Sequence, residues 1–208
     1  MGLIKKYFAN MGKPEGKLGK IIVSGMNSGH ASLAEWGFSN WSIDMQGDVL
    51  DIGCGGGANL ARWLRRAKNG VVNGIDYSEV SVETSKNLNA KAIEQGHCRV
   101  QQGNVCNLPF ADNSFQYISA FETIYFWPEI AESFKEIYRV LKSDGNFFIC
   151  NEVDGAKVSD AKWTKIMDGM TIYTEAEIKA LLEQAGFSQI NEYRNEKKGW
   201  ISFSATKQ

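Results

Sequence analysis

Two histidines, three prolines and four cysteines are all that 208 residues contain of these types. The cysteines (Cys54, Cys98, Cys106, Cys150) are scattered and form no C-x-x-C pair, so the close ligand spacing of a zinc site is missing. A disulfide framework would need a secreted setting, and a chain of this length buries a core without one. Neither sign of charge dominates: 23 basic and 24 acidic residues leave a net charge of −1, which gives no support to a nucleic-acid partner. No apolar run approaches the ~18 residues that span a bilayer. The opening MGLIKKYFANMGKPEGK lacks the apolar stretch of a signal peptide, and Lys6 stands where a myristoylation signal has Ser or Thr. These absences point to a cytoplasmic protein without metal, membrane or nucleic-acid ligands.

What is present is a rhythm. After residue 47 the apolar pattern alternates between strand and helix. Strands are expected at 48–53, 70–76, 98–104, 114–122 and 146–152. Helices are expected at 59–69, at 78–96 with Ser78 as N-cap and Gly96 as stop, at 128–145 with Pro128 at the first helical position, and at 174–187. Two last runs, 188–194 and 199–207, read as an antiparallel pair. The expected fold is α/β: a doubly wound, Rossmann-like, seven-stranded, mostly parallel sheet ending in that pair. The first ~45 residues differ, with five glycines between Gly16 and Gly37 and tryptophans at 36 and 41. They read as an N-terminal helical extension, residues 1–45, capping a main domain of residues 46–208.

The stretch VLDIGCGGG places four glycines in five positions directly after a strand. In an open α/β sheet the first strand-to-helix turn lies where ligands bind. Gly53, Gly55 and Gly57 there let main-chain amides approach a ligand. Asp76, closing the second strand, suits a ribose diol because a carboxylate accepts from both hydroxyls. Gly53, Gly55 and Ala58 also satisfy the dinucleotide pattern, so a nicotinamide oxidoreductase remains open on the glycines alone. Asp51, two residues earlier, tips the balance. A carboxylate on an apolar strand needs a donor or a cation, and it would repel a pyrophosphate.

At this point the sequence resembles the class I S-adenosylmethionine-dependent methyltransferases, in the branch of small-molecule enzymes known as methyltransferase type 11. DIGCGGG matches their first motif, GIDYSEV the second, QGNVCNLPF the third, and RVLKSDGNFFI the stretch before strand five. The resemblance implies S-adenosylmethionine as cofactor, S-adenosylhomocysteine as its product and a small-molecule methyl acceptor. A non-catalytic protein that binds the same ligands is the alternative. The motifs assign Asp51, Gly53, Gly55, Gly57, Asp76, Tyr77, Asn104, Val105 and Phe121 to the cofactor. Asn104 replaces the family's usual Asp, and its amide oxygen still accepts from an adenine amino group. Ser143–Asp144 replaces Pro–Gly, a change that a turn tolerates.

Such enzymes align a nucleophile and need no shared catalytic residue. His30, in the N-terminal segment, is the candidate general base, and Tyr125, in AFETIYFWP, the second candidate catalytic residue. Phe121 and Glu122 are placed beside the cofactor, Glu152 beside the substrate, Tyr7 in a lid and His97 on the surface.

Overall fold

The computed structural model describes residues 12–41, 46–67, 69–153, 155, 161–167 and 169–208. Two helices come first, α1 (Gly16–Gly29) and α2 (Ala31–Ser39). The alternating part follows as β1 (Val49–Ile52), α3 (Ala58–Arg66), β2 (Val72–Asp76), α4 (Glu79–Leu88), α5 (Ala90–Glu94), β3 (Cys98–Gln102) and β4 (Phe115–Phe121). A 3₁₀ turn (Ile124–Phe126), α6 (Ile130–Val140) and β5 (Leu141–Asn151) come next. The chain closes with α7 (Ala161–Ile166), α8 (Glu175–Gln184), β6 (Phe187–Asn195) and β7 (Trp200–Lys207).

The seven strands order as β3-β2-β1-β4-β5-β7-β6, and β7 runs antiparallel to both neighbours. The expected mostly parallel sheet with an antiparallel C-terminal pair is what forms. Strand order reverses between β1 and β4, which pair in parallel, and a crevice opens at their carboxyl ends.

Side chains alternate between two cores, as the two-residue period of a strand dictates. Leu50, Ile52, Ile118, Phe147 and Ile149 face one core with Phe134 and Ile137 of α6. Val49, Tyr117, Phe148 and Cys150 face the other with Trp63 of α3. The N-terminal segment completes this second core through Leu33, Ala34 and Phe38 of α2 and Trp41 just past its end. Trp41 stacks on Phe148 with ring centroids 4.1 Å apart and meets Phe121 at 5.3 Å. Glu35 of α2 also bridges to Arg62 (2.9 Å) and Arg66 (3.0 Å) of α3.

Two helices depart from expectation. The segment 78–96 is not one helix: it breaks at Asn89, whose side-chain amide turns to the carbonyls of Ser85 (3.0 Å) and Gly57 (3.1 Å). The expected helix 128–145 spans only 130–140, and Pro128 is not its first residue. Glu129 precedes it with a left-handed backbone, φ 46°. The chain then becomes strand at Leu141 and turns at Asp144, φ 59°. Ser78 caps α4 by accepting from the Ser81 amide at 3.2 Å, and Thr174 and Glu177 form a capping box on α8.

Candidate active site

A cavity of about 860 Å³ fills the crevice, and residues of the β1–α3 turn, the ends of β2 and β4, and α1 line it. The four glycines of the turn have four different surroundings. Gly53 has φ 69°, and a Cβ there would fall 2.1 Å from the Thr123 hydroxyl oxygen. Gly56 packs under α1: a Cβ would lie 2.3 Å from Asn27 Nδ2, and that amide donates to the Gly56 carbonyl at 3.2 Å. Gly57, φ 82°, presses on α4, with Ser85 Oγ 2.4 Å from the Cβ position. Gly55 alone combines a left-handed backbone, φ 52°, with open space where a Cβ would be. Three of the glycines thus answer to protein packed against them, and Gly55 faces the cavity.

Asp76 closes β2 and is 7% exposed. Its Oδ2 accepts the Gly55 amide at 2.9 Å and its Oδ1 the Ser78 amide at 2.8 Å. Burial pushes its carboxyl above the ordinary value, and those two amides pull it back. Each oxygen keeps a lone pair for a further donor.

Asp51 is not on the cavity wall. It is 2% exposed on the second-core face of β1, where the Ser119 hydroxyl donates to its Oδ1 at 2.6 Å. The same hydroxyl receives the Trp63 indole N–H at 2.8 Å. Burial pushes the Asp51 carboxyl up to about 7, with the Ser119 bond opposing and the Asp76 charge adding to it.

Of the other residues assigned from sequence, His30, Gly53, Gly55, Asp76, Tyr77, Asn104, Val105 and Phe121 line the cavity. Asp51, Gly57 and Tyr125 do not. Gly57 is turned to α4, and Tyr125 is 2% exposed behind Glu122. The Asn104 side-chain oxygen already accepts the Cys106 amide at 3.0 Å, which leaves it one lone pair for another donor. The Tyr77 hydroxyl donates to the Gly12 carbonyl, and burial with the Asp76 charge raises its pKa to about 12. His97 is exposed, and Tyr7 lies outside the described residues.

The polar end of the cavity holds a group that sequence reasoning did not assemble. Glu122 lines the wall, and its Oε1 accepts the Tyr125 hydroxyl at 3.1 Å and the Glu152 amide. Its backbone is left-handed, φ 57°. Burial pushes the Glu122 carboxyl up to about 8, and the Glu152 charge adds to this while the two hydrogen bonds oppose it. His30 Nε2 stands 3.8 Å from Glu152 Oε2. Burial holds the imidazole below its ordinary value against the pull of Glu152.

A family profile described as methyltransferase domain matches residues 50–149. Cycloartenol-C-24-methyltransferase of Arabidopsis thaliana is 34% identical over 152 residues, which cover 68% of this chain and 45% of that enzyme. The chain thus spans less than half the length of that relative. A ubiquinone/menaquinone biosynthesis C-methyltransferase of Rickettsia felis is 24% identical over 93% of this chain and 88% of its own. Among solved structures, a methyltransferase in complex with the Trm112 activator of Haloferax volcanii superposes with a TM-score of 0.81. It is 18% identical, over 88% of this chain and 92% of its own, so it speaks for the fold alone. The matched segment begins on β1 and ends on β5, the strands that build the crevice, and this settles the family: the chain belongs to the class I S-adenosylmethionine-dependent methyltransferases, and S-adenosylmethionine is its cofactor.

Proposed function

We propose that the protein transfers a methyl group to a small, largely apolar acceptor. One observation carries the reading: the Gly55 amide and the Asp76 carboxylate meet at 2.9 Å beside open space that a Cβ at Gly55 would enter. This cradle fits the cofactor, because the main chain is approachable there and Asp76 keeps one acceptor site on each oxygen for a ribose diol. Gly53, Tyr77, Asn104, Val105 and Phe121 would hold the rest of the nucleoside and amino-acid parts. Asp51 and Gly57 would act from behind, the first through its charge and the second by seating α4 against the turn. The cofactor supplies an activated methyl carbon, so the chain's own residues need only orient the acceptor, keep water out and receive a proton.

Several features support a small acceptor. The cavity falls in the size range of small-molecule sites, roughly 300–1,000 Å³, and apolar side chains (Met26, Leu33, Phe126 and Trp127) line it around the polar end. The two relatives named above are both C-methyltransferases. Among the described residues no helix is long and apolar enough to cross a membrane. In this reading residues 1–45 cap the domain of residues 46–208, with Val23, Met26, Asn27 and His30 on the cavity wall; residues 1–11, and 42–45 at the boundary, lie outside the described ones.

Equilibrium binding tests the assignment. S-adenosylmethionine should bind the wild-type protein, and Asp76→Ala should lose about 1–3 kcal/mol of that affinity, roughly a 5- to 150-fold weakening. Equal affinity in the variant removes Asp76 from the ribose, and absence of binding by the folded wild-type protein removes the function.

A further inference from the structure

Four segments bring their polar groups together at the end of the cavity: the α1–α2 junction, the end of β4, the 3₁₀ turn and the end of β5. One side-chain atom each of His30, Glu122 and Glu152 lies within 4.8 Å of the others. Glu122 is the best held of the three. A non-glycine residue at φ 57° costs about 1–2 kcal/mol, so its neighbours must hold it there. Those neighbours are the Tyr125 hydroxyl and the Glu152 amide, and both donate to Oε1. Tyr125 is oriented in turn by the Val153 amide, which donates to its oxygen at 3.2 Å. The phenolic proton has Glu122 Oε1 at 3.1 Å and the Val153 carbonyl at 3.4 Å, and Oε1 is the nearer acceptor. Both bonds to Glu122 fall on Oε1, which leaves the lone pairs of Oε2 for a ligand.

We propose that Glu122 is the residue that takes the proton from the methyl acceptor, with the Tyr125 hydroxyl and Glu152 amide as its positioning groups, and that entry of a cationic cofactor is what frees Glu122 of its own proton. The inference rests on the function proposed above. The acceptor's X–H bond breaks and an X–CH₃ bond forms. The electron pair of the broken S–CH₃ bond stays on sulfur, and the proton goes to Glu122 Oε2. One positive sulfonium and one negative carboxylate become a neutral thioether and a neutral carboxyl, so the step annihilates charge inside a desolvated site.

The surroundings make the second half of the proposal necessary. Burial and the Glu152 charge keep Glu122 protonated at neutral pH in the free protein. Among the described residues the titratable groups that face it supply no cation: burial keeps His30 neutral, and burial keeps the Tyr125 and Cys150 groups protonated and uncharged. A positive charge that arrives with the ligand favours the carboxylate and releases the proton.

Calorimetric titration at pH 7 in two buffers of different ionisation heat reads that proton directly. Wild-type protein should release close to one proton on binding S-adenosylmethionine and markedly less on binding S-adenosylhomocysteine, whose sulfur is neutral. Glu122→Gln should still bind and lose this release. Tyr125→Phe removes a donor to the carboxylate, so the pH midpoint of the release should move upward. An infrared difference spectrum gives an independent reading, as loss of a protonated-carboxyl stretch on cofactor binding that is larger in wild type than in Glu122→Gln, where Asp51 is the buried acid left to respond. Equal proton release by wild type and Glu122→Gln, or a carboxyl signal no larger in wild type, overturns the role of Glu122. An unmoved midpoint in Tyr125→Phe overturns its positioning role. If neither ligand binds, the proposed function itself falls.

Discussion

Replacing Asp51 with asparagine separates what this carboxylate does for stability from what it does for the ligand. Asparagine has nearly the same shape, and its carbonyl oxygen can still accept the Ser119 hydroxyl that donates to Oδ1 at 2.6 Å. The change therefore removes a titration and little else. In the folded protein Asp51 titrates near 7 instead of 3.8. Because the folded pKa is the raised one, the folded state binds more protons than the unfolded state between about pH 4 and pH 7. Wild-type stability should fall as pH rises through that window and level off above it. At about 1.4 kcal/mol per tenfold step, the ionised form costs on the order of 4 kcal/mol of stability. Urea denaturation should give Asp51→Asn and wild type similar stabilities near pH 4, and the variant should be the more stable by several kcal/mol at pH 8. If Asp51 serves a cationic ligand through its charge, the same variant should bind S-adenosylmethionine more weakly, a gain in stability at the expense of function. Parallel stability curves at the two pH values would refute the account of a desolvated carboxylate.

Other substitutions probe the turn and its supports. Gly55→Ala should weaken cofactor binding while costing only about 1–2 kcal/mol of stability, the strain of a left-handed alanine, because its Cβ enters open space; unchanged affinity with normal folding would place the ligand elsewhere. Gly56→Ala should instead push α1 away through Asn27 and Val23, at about 1–3 kcal/mol for overpacking, and hydrogen exchange should then quicken across residues 16–29. Trp63→Phe leaves the Ser119 oxygen short of a donor in the core, so unfolding measurements should show a loss of about 1–3 kcal/mol, more than ring size alone explains.

Much of the fold was legible because its signals are local. Ser78 and Thr174 announced their helices through side chains that bond three residues onward. The short apolar runs at 48–53 and 146–152 marked the strands that became β1 and β5. The errors arose where a distant partner decides. Asn89 leaves the helix pattern because the Gly57 carbonyl, 32 residues away in sequence, is within reach of its amide. Leu141 becomes strand because Phe115 pairs with it. The site follows the same rule. Asp76 and the glycine turn carry their chemistry in a contiguous motif, whereas Glu122, Tyr125, His30 and Glu152 meet only after four segments fold together. Their residue types gave no sign that Tyr125 would stand behind Glu122 as a donor instead of lining the cavity. The run of four glycines combines two demands: Gly53, Gly55 and Gly56 line the cavity, and Gly53, Gly56 and Gly57 also have protein packed where a Cβ would be.

Phe121 belongs at once to the cavity wall and to the aromatic cluster around Trp41 and Phe148. Indole emission responds to the polarity and ring contacts around it, so a ligand that settles against Phe121 changes the light emitted from the interior. The protein thus carries its own unlabelled optical reporters, Trp127 on the cavity wall itself and Trp41 with its ring centroid 5.3 Å from that of Phe121. Because α2 supplies part of this cluster, the signal follows the seating of the N-terminal helices as well as the arrival of the ligand, and rapid mixing can resolve the two events in time.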